Sequence, residues 1–132
     1  MPSNPGPALE QRVQQLFVMI DSLDFERLDE HVAEDVRAVD ELSGGWCRGR
    51  EALEEYYEQL KETVDSIESQ LKGIEAVEWG DAGLVMCELT QRYQMGGKEQ
   101  RIRAPTSIVF RREAGGWKIA LIHSVPLAEP PA

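Results

Sequence analysis

The sequence is short of soft metal ligands, of positive charge and of long apolar runs. Its two cysteines, Cys47 and Cys87, sit in separate strand-like segments with no paired spacing, a pattern that supports neither a metal site nor a disulfide framework. They read as reduced, intracellular and inert thiols. Fourteen basic side chains face twenty-four acidic ones, a net charge of -10, which repels phosphate backbones and anionic membranes. Nucleic acid and membrane are therefore excluded as expected partners. No stretch approaches the ~20 apolar residues of a membrane span, and Met1 to Pro7 has no basic cluster or apolar run. The expected location is the cytoplasm. A glycine-rich phosphate loop, a serine nucleophile elbow, a metal-ligand cluster and an internal repeat are also missing. Neither cofactor nor metal is implied.

What is present is a domain of 132 residues, long enough to bury roughly two-thirds of its unfolded surface. Its organising stretch is Arg101 to Val125, two strand-like runs flanking the turn Glu113-Ala114-Gly115-Gly116, whose glycines allow the positive φ of tight hairpins. Pairing Glu113 with Gly116 sets Phe110 opposite Ile119, Ile108 opposite Leu121 and Thr106 opposite His123. Side chains alternate across a strand, so Phe110, Ile108, Thr106, Ile119, Leu121 and His123 are expected on one inner face. Gly96-Gly97 joins this hairpin to the run Gly83 to Met95. Pairing Met95 with Lys98 adds Val85, Cys87, Leu89, Gln91 and Tyr93 to that face. Its Phe110 end is oily, and the end carrying His123, Thr106, Cys87, Gln91 and Tyr93 is wetter. The pattern predicts a core at the first end and a cavity mouth at the second.

Upstream, Leu9, Val13, Leu16, Phe17, Ile20 and Leu23 recur at helical spacing within Ala8 to Leu23. Asp24 is placed to cap a short second helix in which Phe25, Leu28 and Val32 share a face. Asp35 to Asp40 reads as a short strand turned back by Gly44-Gly45 into Trp46-Cys47-Arg48. Arg50 to Val64 carries Leu53, Tyr56, Tyr57, Leu60 and Val64 on one stripe, with acids toward its positive end. Ile67 to Trp79 is a strand broken in phase at Gly73, where a bulge is expected. Residues 1–7 are read as a disordered tail, 8–125 as the single domain and 126–132, with Pro126 and Pro130-Pro131, as a loose tail. Helices in the front half followed by an antiparallel meander make an α+β layout.

The order of elements, the Gly49-Arg50-Glu51-Ala52-Leu53 lead into the third helix, and the closing Gly116-Trp117-Lys118-Ile119 strand running to His123-Ser124 resemble the nuclear-transport-factor-2-like superfamily. Within it the chain is most similar to small bacterial SnoaL-like proteins. That resemblance implies a cone: a strongly curved antiparallel sheet around three helices, packed on its concave face and enclosing a pocket. It also implies a range of functions, from cofactor-free isomerases, polyketide cyclases and dehydratases to non-catalytic transport and association modules, so the fold leaves activity open.

His123 is the sharpest candidate for chemistry, since an imidazole titrates near neutrality; the alternative is a hydrogen-bonded histidine at the edge of the core. Relatives often carry a histidine late in the last strand. Asp40, at the end of the first strand where some catalytic relatives place an acid, is the second candidate, and it or Glu41 can equally be turn polarity. Trp46, Tyr56, Tyr57 and Tyr93 can wall a pocket or simply fill core, with Cys87, Gln91 and Thr106 beside them. The expected partner is a small hydrophobic molecule or carboxylate. On the opposite face, Leu84, Met86, Val109, Ala120 and Ile122 form an apolar patch rimmed by charge, and relatives commonly dimerise through that face. A homodimer is the expected assembly. An isomerase, cyclase or lyase, a non-catalytic binder, and an association module with a filled cavity all remain open.

Overall fold

The computed structural model describes residues 5–40, 43–114 and 116–127, with side chains from residue 8. Helix α1 spans Pro5–Asp21, α2 Phe25–Asp29 and α3 Arg50–Thr63; strands β1 to β6 span Val32–Val39, Cys47–Arg48, Val64–Trp79, Ala82–Met95, Lys98–Glu113 and Gly116–Ser124. The strands form one sheet in the order β2-β1-β6-β5-β4-β3. Every pairing is antiparallel except β1 with β6, which is parallel. The architecture is the expected α+β one, a curved open sheet with its helices drawn from the front half of the chain.

Helix α1 buries Leu9, Val13, Leu16 and Phe17, the stripe that helical spacing demands. Its close seat on β4 depends on Gly83, where an added Cβ would stand 2.8 Å from a Leu9 methyl. Asp24 caps α2 by accepting the Arg27 backbone N–H, and Phe25 stacks flat on Tyr57 of α3 at 4.4 Å. These contacts close the helical layer over the concave side of the sheet, where Val85, Leu89, Ile108, Phe110 and Ile119 complete the core.

The β4–β5 register runs as expected, with Val85 opposite Ile108, Cys87 opposite Thr106 and Tyr93 opposite Gln100. The bulge expected at Gly73 is present: pairing with β4 shifts between Lys72 and Glu75, and Gly73 takes φ +60°.

The β5–β6 hairpin departs from its expected register. It starts as predicted, Glu113 with Gly116 and Phe110 with Ile119, but Val109 then pairs with Leu121. Ala120 is an extra residue, a β-bulge, and because the side-chain period is two it inverts everything after it. Ile122 and Ser124 turn inward and are buried, whereas Leu121 and His123 turn outward. Thr106 faces Ser124 and not His123, their hydroxyls 3.0 Å apart.

Helix α1 already runs from Pro5, and the Leu127 N–H donates to the Arg103 carbonyl at 2.9 Å. Residues 1–4 and 128–132, with Glu41, Leu42 and Gly115, lie outside the described residues.

Candidate functional site

The wide end of the sheet and the inner face of α3 meet in a small cavity of about 40 Å³. Phe17, Ile20, Leu60, Ile67, Leu89, Ile102 and Ile122 supply its apolar wall, and Asp40, Tyr56, Tyr57, Gln91, Tyr93 and Ser124 its polar groups. Such a volume holds a few water molecules and is about a tenth of an ordinary ligand pocket.

Asp40 is the best-anchored polar group. It follows β1, and the turn after it is locked reciprocally: the Ser43 N–H donates to Asp40 Oδ1 at 2.9 Å, and the Asp40 N–H donates to Ser43 Oγ at 3.0 Å. The carboxylate thereby keeps a fixed direction, toward α3. From that helix the Tyr56 hydroxyl reaches both of its oxygens, at 2.8 and 3.0 Å. Asp40 is thus both turn polarity and a cavity group.

Burial raises the pKa of the Tyr56 hydroxyl far above its ordinary value, and the adjacent Asp40 charge raises it further. Tyr57 is shifted the same way, by burial and then by Asp40. A phenolate beside a carboxylate in this setting is strongly disfavoured, so Tyr56 remains a hydrogen-bond donor throughout the accessible pH range. The Cys47 thiol is raised by burial and by Asp40, and Cys87 by burial alone. Neither thiol is activated.

A second polar relay borders the cavity. Gln91 donates to Ser69 Oγ at 3.1 Å, Ser69 Oγ donates to Asp21 Oδ1 at 2.6 Å, and the Ser69 N–H donates to Asp21 Oδ2 at 2.9 Å. Burial raises the pKa of Asp21 even though the Ser69 hydrogen bonds oppose the shift.

Five of the residues singled out in sequence converge here: Asp40, Tyr56, Tyr57, Gln91 and Tyr93. Cys87 and Thr106 share the inner face but are buried in the core beyond the cavity. His123 and Trp46 do not reach it. The Ala120 bulge turns His123 to the outer face, where its ring stacks on that of Trp46 at 5.9 Å, and Trp46 is 50% exposed. The inward His123 is corrected by this irregularity, and Trp46, exposed before β2, does not wall the cone cavity. Ser124 and Ile122 take the inner positions instead; no glycine or proline flags the bulge in the sequence. Ile122, expected on the outer apolar patch, is 7% exposed and faces the cavity. Leu84, Met86, Val109 and Ala120 do lie toward the outer side, Met86 exposed and the others half-buried. Among the described residues no three acids, histidines or cysteines are arranged to hold a metal, and no helix is long and apolar enough to cross a membrane.

A curved sheet roofed by helices, with a few polar groups gathered at one end, defines a cone fold. Residues 9–128 match the SnoaL-like domain, and the chain belongs to that family. No curated protein matches the chain. Solved structures similar to it include a CaMKII hub from S. rosetta, 17% identical with TM-score 0.82, covering 96% of this chain and 100% of that one. A candidate dehydratase of the NTF2-like family from Streptomyces avermitilis is 23% identical with TM-score 0.80, again covering 96% and 100%. A candidate calcium/calmodulin-dependent protein kinase II association domain from Xanthomonas campestris is 16% identical with TM-score 0.80, covering 93% and 88%. At these identities the likeness is one of fold.

Proposed function

We propose that the chain binds a small, uncharged hydrophobic molecule at the wide end of the cone, with the ligand's polar group held against Asp40 and Tyr56. The observation that carries this reading is the Tyr56–Asp40 contact at 2.8 and 3.0 Å inside an otherwise largely apolar wall. A half-buried carboxylate and a protonated phenol offer one acceptor and one donor. A ligand hydroxyl can donate to Asp40, and a ligand carbonyl can take the Tyr56 hydrogen bond. A ligand carboxylate would meet the Asp40 charge, so neutral ketones and alcohols are the favoured class. Admission requires Tyr56 or Tyr93 to swing aside, because the cavity holds only about 40 Å³ in this state.

If the bound molecule is also turned over, Asp40 is the group placed to take a proton from the carbon next to its carbonyl. Tyr56 would then donate to the oxygen on which charge develops. That is a cofactor-free isomerase, cyclase or lyase step, with His123 outside it. A titration of isotope-labelled protein with hydrophobic ketones, alcohols and carboxylates, read at the Leu89 and Ile102 methyls, tests the reading. Neutral ligands should shift those methyls, Tyr56→Phe should weaken binding roughly tenfold for one lost hydrogen bond, and His123→Ala should leave it unchanged. Turnover that falls about a hundredfold in Asp40→Asn would make the protein an enzyme; binding without turnover would make it a carrier. Cavity methyls indifferent to every ligand would overturn both.

A second reading, an association module, is favoured by the outer sheet face. Val77, Leu84, Val109 and Leu121 follow one another across four strands, beside Met86, which is 38% exposed. We infer a homodimer that covers this strip, the kind of surface that marks an interface. Ile122 has no part in it.

A further inference from the structure

A second concavity among the described residues is much wider than the cone cavity. It is an open groove of about 840 Å³ along the solvent side of α1, where Arg12, Gln15 and Met19 meet Arg27 of α2, His31 and Trp117 of β6. In a chain with twenty-four acids and fourteen bases, not one described residue lining this groove is an acid. Its cations also differ from three arginines of the sheet that carboxylates close. Arg111 is closed by Asp35 and Glu113, Arg112 by Glu78 and Arg92 by Glu68. Arg12 and Arg27 have no carboxylate within ion-pair distance among the described residues. Arg12 Nη1 instead donates to His31 Nδ1 at 3.3 Å, which leaves the ring proton on Nε2 as one more donor. Lys118 stands beside them with its Nζ on the Glu30 carbonyl at 2.6 Å. Burial, then the charges of Arg12, Lys118 and Arg27, lower the pKa of His31 against the opposing pull of Glu30. Three cations therefore crowd one neutral imidazole.

Such an arrangement is costly with nothing bound, because like charges repel and neither Arg12 nor Arg27 is ion-paired to a carboxylate among the described residues. An oxyanion would relieve it. Guanidinium groups bind carboxylate and phosphate with short, charge-assisted and often paired hydrogen bonds. The groove also has an apolar side, formed by Met19, Trp117 and Val18, the last 64% exposed. Its volume falls within the range of small-molecule sites.

We propose that this groove is a second binding site, for a small organic oxyanion, a carboxylate or phosphate monoester, whose charged end sits between Arg12 and Arg27 while its apolar part lies against Val18, Met19 and Trp117. The site is separate from the cone and opposite to it in preference: the cone, with Asp40, favours neutral ligands, and the groove favours anions.

The test is an NMR titration of the full chain with benzoate, phenyl phosphate, inorganic phosphate and benzyl alcohol, followed at the Arg12 and Arg27 side-chain N–H groups and the Trp117 indole N–H. Benzoate or phenyl phosphate should shift these signals saturably, with weaker binding at higher salt, and the tighter of the two names the headgroup. Arg12→Gln with Arg27→Gln should weaken binding tenfold or more, whereas Arg103→Gln, on the outer sheet face, should not. Should the double variant fail to fold, Arg12→Lys with Arg27→Lys keeps the charge and still loses the paired geometry, so a several-fold loss is expected there. Shifts spread evenly over all surface cations, or an equal effect of Arg103→Gln, would overturn the site. Equal affinity for inorganic phosphate and phenyl phosphate would overturn its organic half, and equal affinity for benzyl alcohol its anionic half.

Discussion

Asp21 and Asp40 are both half-buried carboxylates near the cone, and their partners separate their roles. Asp40 faces a phenol inside the cavity, while Asp21 is consumed by Ser69, whose hydroxyl and N–H it accepts. Burial nevertheless leaves Asp21 with a pKa above 3.8, so its charged form is the disfavoured one in the folded state. The sign follows from linkage: the folded chain holds the proton to higher pH than the unfolded chain, so stability falls as pH rises from 3.8 through the folded-state pKa, and the cost is fully present above it. Asp21→Asn keeps an acceptor for the Ser69 N–H without the charge. In denaturant melts at pH 7 it should be at least as stable as wild type, and the gap between them should close as pH falls toward 3.8. A variant less stable at pH 7, with a gap that closes in acid, would show that the Ser69 hydrogen bonds outweigh burial. Of the candidate residues, Asp40 was legible in sequence because it ends a strand at a Gly-Gly turn; Ser124 was not, because its direction depends on a bulge upstream.

At the scale of elements, the Ala120 bulge has the largest consequence. Without it β6 would point Leu121 and His123 inward; with it Ile122 and Ser124 face the core. The alternation Trp117, Ile119, Leu121, His123 and the alternation Ala120, Ile122, Ser124 are both plausible strands, and the parallel pairing of β1, which sets Ala38 beside Ile122 and Val39 beside His123, favours the second. Neighbouring residues then make a direct test of register. Ile122→Ala should cost about 2–5 kcal/mol, the range for emptying a buried aliphatic site, whereas Leu121→Ala should cost less than about 1 kcal/mol in the isolated fold. Chemical denaturation of the two variants at low protein concentration measures both, and the reverse ranking would reinstate the unbulged hairpin. The Gly73 bulge, by contrast, was readable, because a glycine at a break in phase announces a left-handed backbone that few other residues adopt.

For the molecule as a whole, the sheet has a filled concave side and a partly apolar convex side, and the proposed association uses the latter. Val109→Glu with Leu121→Glu places charges in the middle of the outer strip without touching the core. Sedimentation should give a dimer for wild type and a monomer for this double variant at micromolar concentration, while His123→Ala, at the margin of the strip, should weaken association only slightly. A wild-type monomer, or a double variant with an unchanged oligomer, would remove the outer face as the interface. The sequence by itself determined the α+β order, the helix stripes, the glycine turns and the β4–β5 register, since each follows from local spacing and backbone chemistry within a few residues. Only the tertiary structure decided which groups share a cavity: the parallel contact of β1 with β6 joins residues some eighty positions apart, and a single inserted residue reverses the two faces of a strand whose side chains repeat every second position. That geometry set Tyr56 on Asp40 and turned His123 away from both.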